Sequence, residues 1–457
     1  MNRSRPFAAV LFAFVTLSGL TAGAQAVAPA PQALASLWDR EHVSSPVSAL
    51  VDHAEVKRRI AAIAAAGSAS VLHVKQVGAS LEGREIYDVS FGTGPYVVML
   101  WSQMHGDEAT ATSALFDLYA YVDAHRADPQ VAGWLAALTV HTVPMLNPDG
   151  AERWQRRNAQ GIDINRDALL LQSPEGRLLK NLRDAWQPKV GINLHNQNWR
   201  TSVGKPPVGA AISLLSVAFD EARTMSPGRV LTRQLASVVR DSLEPLAPGR
   251  IGKYEEAFEP RAFGDNLTKW GTPVLLIETG PYPEANPDPA LVRLNFVALV
   301  CALGALADGS VAHADPARYD ALPVNESLNL HTVIRNVTII QGSGVPPFRG
   351  DVGINAMRRV RIDGGKRLLF ESYQIDDIGD LSAAGRLFDV DGTGKVLAPL
   401  VPGAVVGQDI TLPEWTRDRP SSTLVLNGYQ AQLMLLRPKP NGAYIVERLF
   451  PGQVEVK

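Results

Sequence analysis

Met104-His105-Gly106-Asp107-Glu108 sets a histidine and a glutamate three residues apart, and a second histidine stands in Leu194-His195-Asn196. Imidazole nitrogen and carboxylate oxygen are the ligands of a hydrolytic zinc, which takes three from the protein and leaves one position for water. Metal coordination lowers the pKa of that water to about 7, and a nearby carboxylate can then take its proton. Ile277-Glu278-Thr279 supplies such a carboxylate. Singly these features are weak, because a buried histidine is more often a hydrogen-bonded core residue and an HxxE pair arises easily by chance. Together they point to a metal-dependent hydrolase.

For these residues to meet, the chain must bring distant segments to one edge. Residues 96–101, 138–145, 190–194 and 273–277 are apolar runs typical of strands buried on both faces. Each leads into a polar cluster: His105 to Glu108, Asn147-Pro148-Asp149-Gly150, His195-Asn196 and Glu278-Thr279. In open α/β sheets ligands bind just outside the carboxyl ends of the strands. Gly106 eases the turn by which His105 ends a strand and Glu108 opens the helix at 109–124. Further helical patterns cover 34–66, 230–243 and 291–306, and two earlier strands, 71–74 and 86–90, flank the turn at Glu82-Gly83-Arg84. The alternation predicts an α/β fold with a mixed, mainly parallel sheet flanked by helices, over residues 25–307.

Residues 308–327 carry Gly, Pro, Asp and Ser with little periodicity and read as a linker. From 328 to 457 the pattern is strand-rich, with candidate strands at 331–340, 359–362, 368–373, 423–426, 431–436 and 444–449. This predicts a separate C-terminal β-rich domain.

The 457 residues suffice for two or three domains. A net charge of −2 and the lack of any Lys/Arg run argue against a nucleic-acid partner. Arg3 and Arg5, the apolar run 8–20 and Ala22-Gly23-Ala24 form a signal peptide pattern over residues 1–24, with cleavage before Gln25 and a second possible site at Ala24-Gln25-Ala26. The apolar run is short for a membrane span of about 20 residues. No later stretch reads as long and apolar enough to span either, so the expectation is a periplasmic or secreted protein without a membrane span and without a large pro-segment. The single cysteine, Cys301, cannot form an internal bridge and reads as a buried core thiol.

Over about residues 70–306 the sequence resembles the zinc metallocarboxypeptidases, the M14 family of peptidases. The resemblance begins at Gln76-Val77-Gly78-Ala79-Ser80-Leu81-Glu82-Gly83-Arg84 and passes through Met104-His105-Gly106-Asp107-Glu108. It is strongest over Asn147-Pro148-Asp149-Gly150 and the run from Arg156-Arg157-Asn158 to Asp163-Ile164-Asn165-Arg166-Asp167, and it ends at Ile277-Glu278-Thr279-Gly280. It implies one Zn2+ per chain held by His105, Glu108 and His195. It implies Glu278 as the general base and Arg156, with Arg157 as its neighbour one position on, as the group that polarises the scissile carbonyl. Asn165 and Arg166 would grip the terminal carboxylate of a peptide or peptide-like substrate, and Asp163 would orient the first histidine. Two positions depart from the family. Tyr254 is the one tyrosine placed to match the family's mobile tyrosine before the base, but its neighbours Ile251-Gly252-Lys253 and Glu255-Glu256 do not match. The segment after the third ligand, Asn196-Gln197-Asn198-Trp199, differs from the classical Ser-Tyr pattern. Residues 333–354 separately resemble the small β domain that opens many amidohydrolases, without the HxH metal motif that follows it there.

Three functions are compatible with these residues. One is a carboxypeptidase anchored on a free carboxylate. Another is a zinc amidase of peptidoglycan stem peptides or acyl-amino acids. The third is a binding module without catalysis, which the complete set of His105, Glu108, His195, Arg156 and Glu278 argues against.

Overall fold

The structure is a computed structural model that describes Met1 and residues 30–342, 344–364, 366–413 and 424–456. Apart from Met1, the expected signal segment lies outside the described residues.

Ten strands precede the C-terminal region: β1 (Leu72–Ala79), β2 (Glu85–Phe91), β3 (Tyr96–Ser102), β4 (Leu138–Val143), β5 (Val190–Asn196), β6 (Thr201–Val203), β7 (Val208–Gly209), β8 (Ile212–Ser216), β9 (Ile251–Lys253) and β10 (Val274–Thr279). Eight of them form one mixed sheet in the order β1-β2-β4-β3-β5-β10-β8-β9. Its central block, β4-β3-β5-β10, is parallel. Antiparallel pairs flank this block, β2 on β4 and β8 on β10.

Alternating side chains divide the core in two, as the period of two along a strand requires. Val98, Leu100, Ile192, Leu194, Leu275 and Ile277 face one way, against the helices Thr110–Ala124, Pro227–Leu243 and Asp288–Ala307. Met99, Trp101, Val143, Val274 and Leu276 face the other, against Pro174–Trp186 and Phe263–Lys269. The result is the helix–sheet–helix α/β architecture expected from the sequence.

Several elements differ from expectation. The helical stretch at 34–66 is two helices, Pro31–Glu41 and His53–Ala66, and Asp52 caps the second by accepting from the Glu55 N–H. The helix Asp288–Ala307 is long enough to cross a membrane and has a mean hydropathy of 2.1, which corrects the reading that no later stretch reaches this length and apolarity. It is a core helix, with 83% of its most apolar window buried. Cys301, on the same helix, is only partly buried at the edge of that core.

Residues 308–327 are mostly exposed, with Val311, Tyr319 and Leu322 buried. They include the short helices Ser310–His313 and Ala317–Asp320. Tyr319 is fully buried between them and the sheet, where its hydroxyl accepts from the Ser216 N–H.

Beyond them lie β11 (Glu326–Ser327), β12 (Asn329–Ile339), β13 (Phe348–Asp363), β14 (Lys366–Gly379), β15 (Gly385–Asp391), β16 (Val396–Pro399), β17 (Asp409–Ile410), β18 (Gln432–Pro438), β19 (Tyr444–Pro451) and β20 (Gln453–Val456). Most join a second sheet, β17-β19-β18-β16-β12-β13-β14-β20, with β15 also on β12. Where two short strands were expected at 359–362 and 368–373, β13 and β14 form one long hairpin. Of the strand expected at 423–426, Thr423 lies outside the described residues and 424–426 form bends.

Candidate metal centre

His105 and Glu108 lie on the short loop between β3 and the helix Thr110–Ala124. The loop is pinned from within. The Gln103 amide donates to the Gly106 carbonyl at 2.9 Å, and the Thr112 hydroxyl donates to Gln103 Oε1 at 2.9 Å. Gly106 is required by proximity rather than by turn geometry: a Cβ there would sit 2.0 Å from the carbonyl carbon of Gly150. The loop after β3 and the helix Pro148–Arg153 after β4 therefore touch backbone to backbone. The Asn147 side chain completes the joint, accepting from the Gly150 N–H and donating to the carbonyls of Met104 and Arg156.

His195 and Glu278 belong to the strands themselves rather than to loops beyond them. They are direct partners on the parallel neighbours β5 and β10. Both strands run two residues further than the apolar pattern suggested, so the pleat fixes both side chains.

Three ligand-type side chains converge and are buried. His105 Nδ1 lies 2.8 Å from Glu108 Oε1, His195 Nδ1 lies 2.8 Å from Glu108 Oε2, and the two Nδ1 atoms are 3.1 Å apart. Their donor atoms fall within 4.8 Å of one another. The other nitrogen of His105, Nε2, meets Asp163 Oδ1 at 3.0 Å. A histidine that turns Nδ1 inward while a carboxylate holds its Nε2 is oriented as a metal ligand is. Two histidines, one carboxylate and one open side match the donor set of a catalytic zinc. The residues present fit the ion.

Charge in the cluster is unevenly spread. Burial works against a charged His105, yet Glu108 and Asp163 outweigh it and raise its pKa to about 9. Burial also opposes charge on Glu108, but His105 and His195 hold its carboxyl well below the usual range. Glu278 is the opposite case. Burial and the neighbouring Glu108 carboxylate push it up to about 8, and its buried Oε2 has no hydrogen-bond partner among the described residues. Such a carboxylate gains a proton readily.

Around the cluster, Arg156 Nε donates to Asp163 Oδ2 at 2.9 Å, and its Nη1 stands 3.4 Å from Glu108 Oε1. Arg157 turns to the Gly161 carbonyl instead. Asn165 is buried, and its Oδ1 accepts from the Phe263 N–H at 2.9 Å, which leaves its amide N–H groups to donate. Arg166 is exposed, anchored by Glu259 Oε2 at 3.4 Å and by the Asn165 carbonyl at 2.7 Å. Tyr254 is exposed, and its hydroxyl pKa is raised by partial desolvation first and then by the Glu278 carboxylate, while Arg156 and Arg166 oppose the shift. Asp265 accepts from the Glu259 N–H and so closes the loop before the helix Phe263–Lys269.

Sequence reasoning missed part of the surroundings. A cleft of about 1070 Å³ starts at Glu108 and Arg156 and is walled on its far side by residues of the β-rich domain, among them His331, Tyr373 and Phe388. These lie more than 130 residues beyond His195 in the chain, so no local motif ties them to the metal ligands. The one local hint is the unusual Asn196-Gln197-Asn198-Trp199 segment. Its next residue, Arg200, donates to the Asn329 carbonyl and pairs with Asp376, both in the β-rich domain.

Residues 60–208 match the family model of the zinc carboxypeptidases, Peptidase_M14. That segment contains His105, Glu108, Arg156, Asp163, Asn165, Arg166 and His195, whereas Tyr254 and Glu278 lie beyond it. Mouse carboxypeptidase M is 29% identical over 147 residues, covering 27% of this chain and 32% of the relative. Human carboxypeptidase Z is 28% identical over 148 residues, covering 28% of this chain and 22% of the relative. The chain thus spans about a third or less of the length of these curated relatives. A solved metallo-carboxypeptidase from Pseudomonas aeruginosa, in complex with (2-guanidinoethylmercapto)succinic acid, is 17% identical with a TM-score of 0.45, covering 56% of this chain and 68% of its own.

Proposed function

We propose that this chain is an exported zinc metallocarboxypeptidase that hydrolyses the C-terminal peptide bond of peptides or peptide-like substrates. The observation that carries the reading is the convergence of His105 Nδ1, Glu108 and His195 Nδ1, with the Glu278 carboxyl directly across the strand pair from His195. Export rests on the N-terminal pattern of Arg3, Arg5, an apolar run and Ala22-Gly23-Ala24.

Zinc, when bound by His105, Glu108 and His195, supplies Lewis acidity toward water and a carbonyl oxygen. Arg166, with the Asn165 amide, takes the substrate's terminal carboxylate, for which the planar guanidinium is suited. Arg156, aimed by Asp163, donates to the scissile carbonyl oxygen as negative charge develops there. Glu278 accepts the proton of the attacking water and returns it to the leaving amine; a pKa raised toward neutrality lets it serve in turn as acceptor and donor. Asp163 holds His105 and Arg156 in one geometry with its two oxygens.

The test uses protein recovered from the exported fraction, its mass showing whether residues 1–24 are gone, loaded with zinc and given blocked dipeptides with a free or an amidated C-terminus. Release of the last amino acid from the free acid only is expected. Equal release from the amide would contradict the carboxylate clamp, and a retained leader would contradict export. The β-walled cleft also favours a second substrate class, stem peptides of peptidoglycan or acyl-amino acids; cleavage of muropeptides in preference to dipeptides would select it.

A further inference from the structure

The cleft that starts at Glu108 and Arg156 is lined by neither Asn165 nor Arg166. If those two take the terminal carboxylate, the rest of the substrate leaves the metal centre by the cleft, past Arg156. That path runs between the segment after β5 and the β-rich domain.

The far wall has a definite chemistry. The His331 ring is the hub of an aromatic cluster, with ring centroids 5.0 Å from Phe388, 5.2 Å from Tyr373 and 5.8 Å from Trp199. All four rings line the cleft, and none of the four residues is fully buried. The polar groups among them are already committed to one another. Tyr373 donates its hydroxyl to Glu371 Oε1 at 2.5 Å, and His331 Nε2 lies 3.4 Å from the same oxygen. Arg358 joins Glu371 Oε2 at 3.1 Å to Asp288 Oδ1 at 2.7 Å. Asp288 opens the helix that follows the segment after β10, the strand of Glu278. The wall is thus tied by ion pairs to the helix that follows the strand of the base, and the four ring-bearing residues present ring surface to the cleft.

We propose that the C-terminal β-rich domain supplies a distal subsite, built by Trp199, His331, Tyr373 and Phe388, that receives an apolar and preferably aromatic group of the substrate on the amino side of the scissile bond. This deepens the carboxypeptidase reading and rests on it. Offset or edge-on ring contacts suit such a group, and their strength corresponds to about tenfold in selectivity.

The test compares kcat/KM for two substrates of the full-length, zinc-loaded protein: an acetyl-capped dipeptide, and the acetyl-capped tripeptide that carries one further phenylalanine at its amino end. The wild-type ratio, extended over short, is expected near ten. It should fall toward one in Phe388→Ala and in Trp199→Ala, because general damage lowers both rates and leaves the ratio alone. Phe388→Leu keeps apolar volume without a ring and should lower the ratio partway, which keeps the test decisive if Phe388→Ala does not fold. A wild-type ratio near one, or variants that leave the ratio at ten, overturns the subsite while the carboxypeptidase reading stands. Failure of the wild type to cleave either substrate overturns both.

Discussion

At the scale of single residues, the informative feature is which nitrogen each histidine presents. His105 Nδ1 and His195 Nδ1 face one another at 3.1 Å, with the Glu108 oxygens 2.8 Å from each. Two imidazole nitrogens at that spacing share one proton or one metal ion, since each ring nitrogen accepts or donates according to its tautomer. Asp163 enforces the arrangement by holding His105 Nε2 and at the same time Arg156 Nε. Replacing Asp163 by Asn leaves the shape but removes the charge. Zinc affinity should then weaken by about 10- to 100-fold, read by competition with a chelator. An affinity unchanged in Asp163→Asn would deny the residue its orienting role. The residue types and their spacing were legible in the sequence, because zinc chemistry demands those types. The choice of ring nitrogen was not, because it depends on a partner 58 positions away.

At the scale of elements, the central strands were legible because burial on both faces leaves continuous apolar runs. Their ends were less so: β5 and β10 include His195-Asn196 and Glu278-Thr279, since ladder hydrogen bonds continue where hydrophobicity stops. Helices Pro129–Ala137, Pro148–Arg153 and Pro174–Trp186 escaped the pattern reading, although each begins with a proline in its first turn, where proline is tolerated. The short strands β8 and β9 escaped as well, although they pair with β10 and with each other. Gly106 was singled out for the right loop but for a different reason from the one the structure gives. A close approach to Gly150 is a tertiary fact, invisible to local sequence.

At the scale of the whole molecule, the β-rich domain is joined to the helix Asp288–Ala307 through ion pairs. Burial works to raise the Glu371 carboxyl, but His331, Arg358 and Tyr373 outweigh it and hold it at about 2. A carboxyl depressed in the fold contributes stability above its unfolded pKa and loses it as pH falls through the folded one. The shift from 4.5 to about 2 corresponds to about 3 kcal/mol as an upper figure. Unfolding measured from pH 6 down to pH 2 should show wild type losing its advantage over Glu371→Gln below about pH 4.5; a constant difference would show that the pair does not brace the domain. Nothing in the local sequence announced this brace, because Asp288, Arg358 and Glu371 come from distant segments. The proposed chemistry depends on a metal at the meeting point of β3 and β5. Elemental analysis of the purified full-length protein, equilibrated with zinc and freed of loosely held metal, addresses that point directly, alongside a variant with His105→Ala and His195→Ala. One zinc per wild-type chain and almost none in the variant is the expected result; a wild-type protein without zinc, or equal zinc in both, would contradict the account.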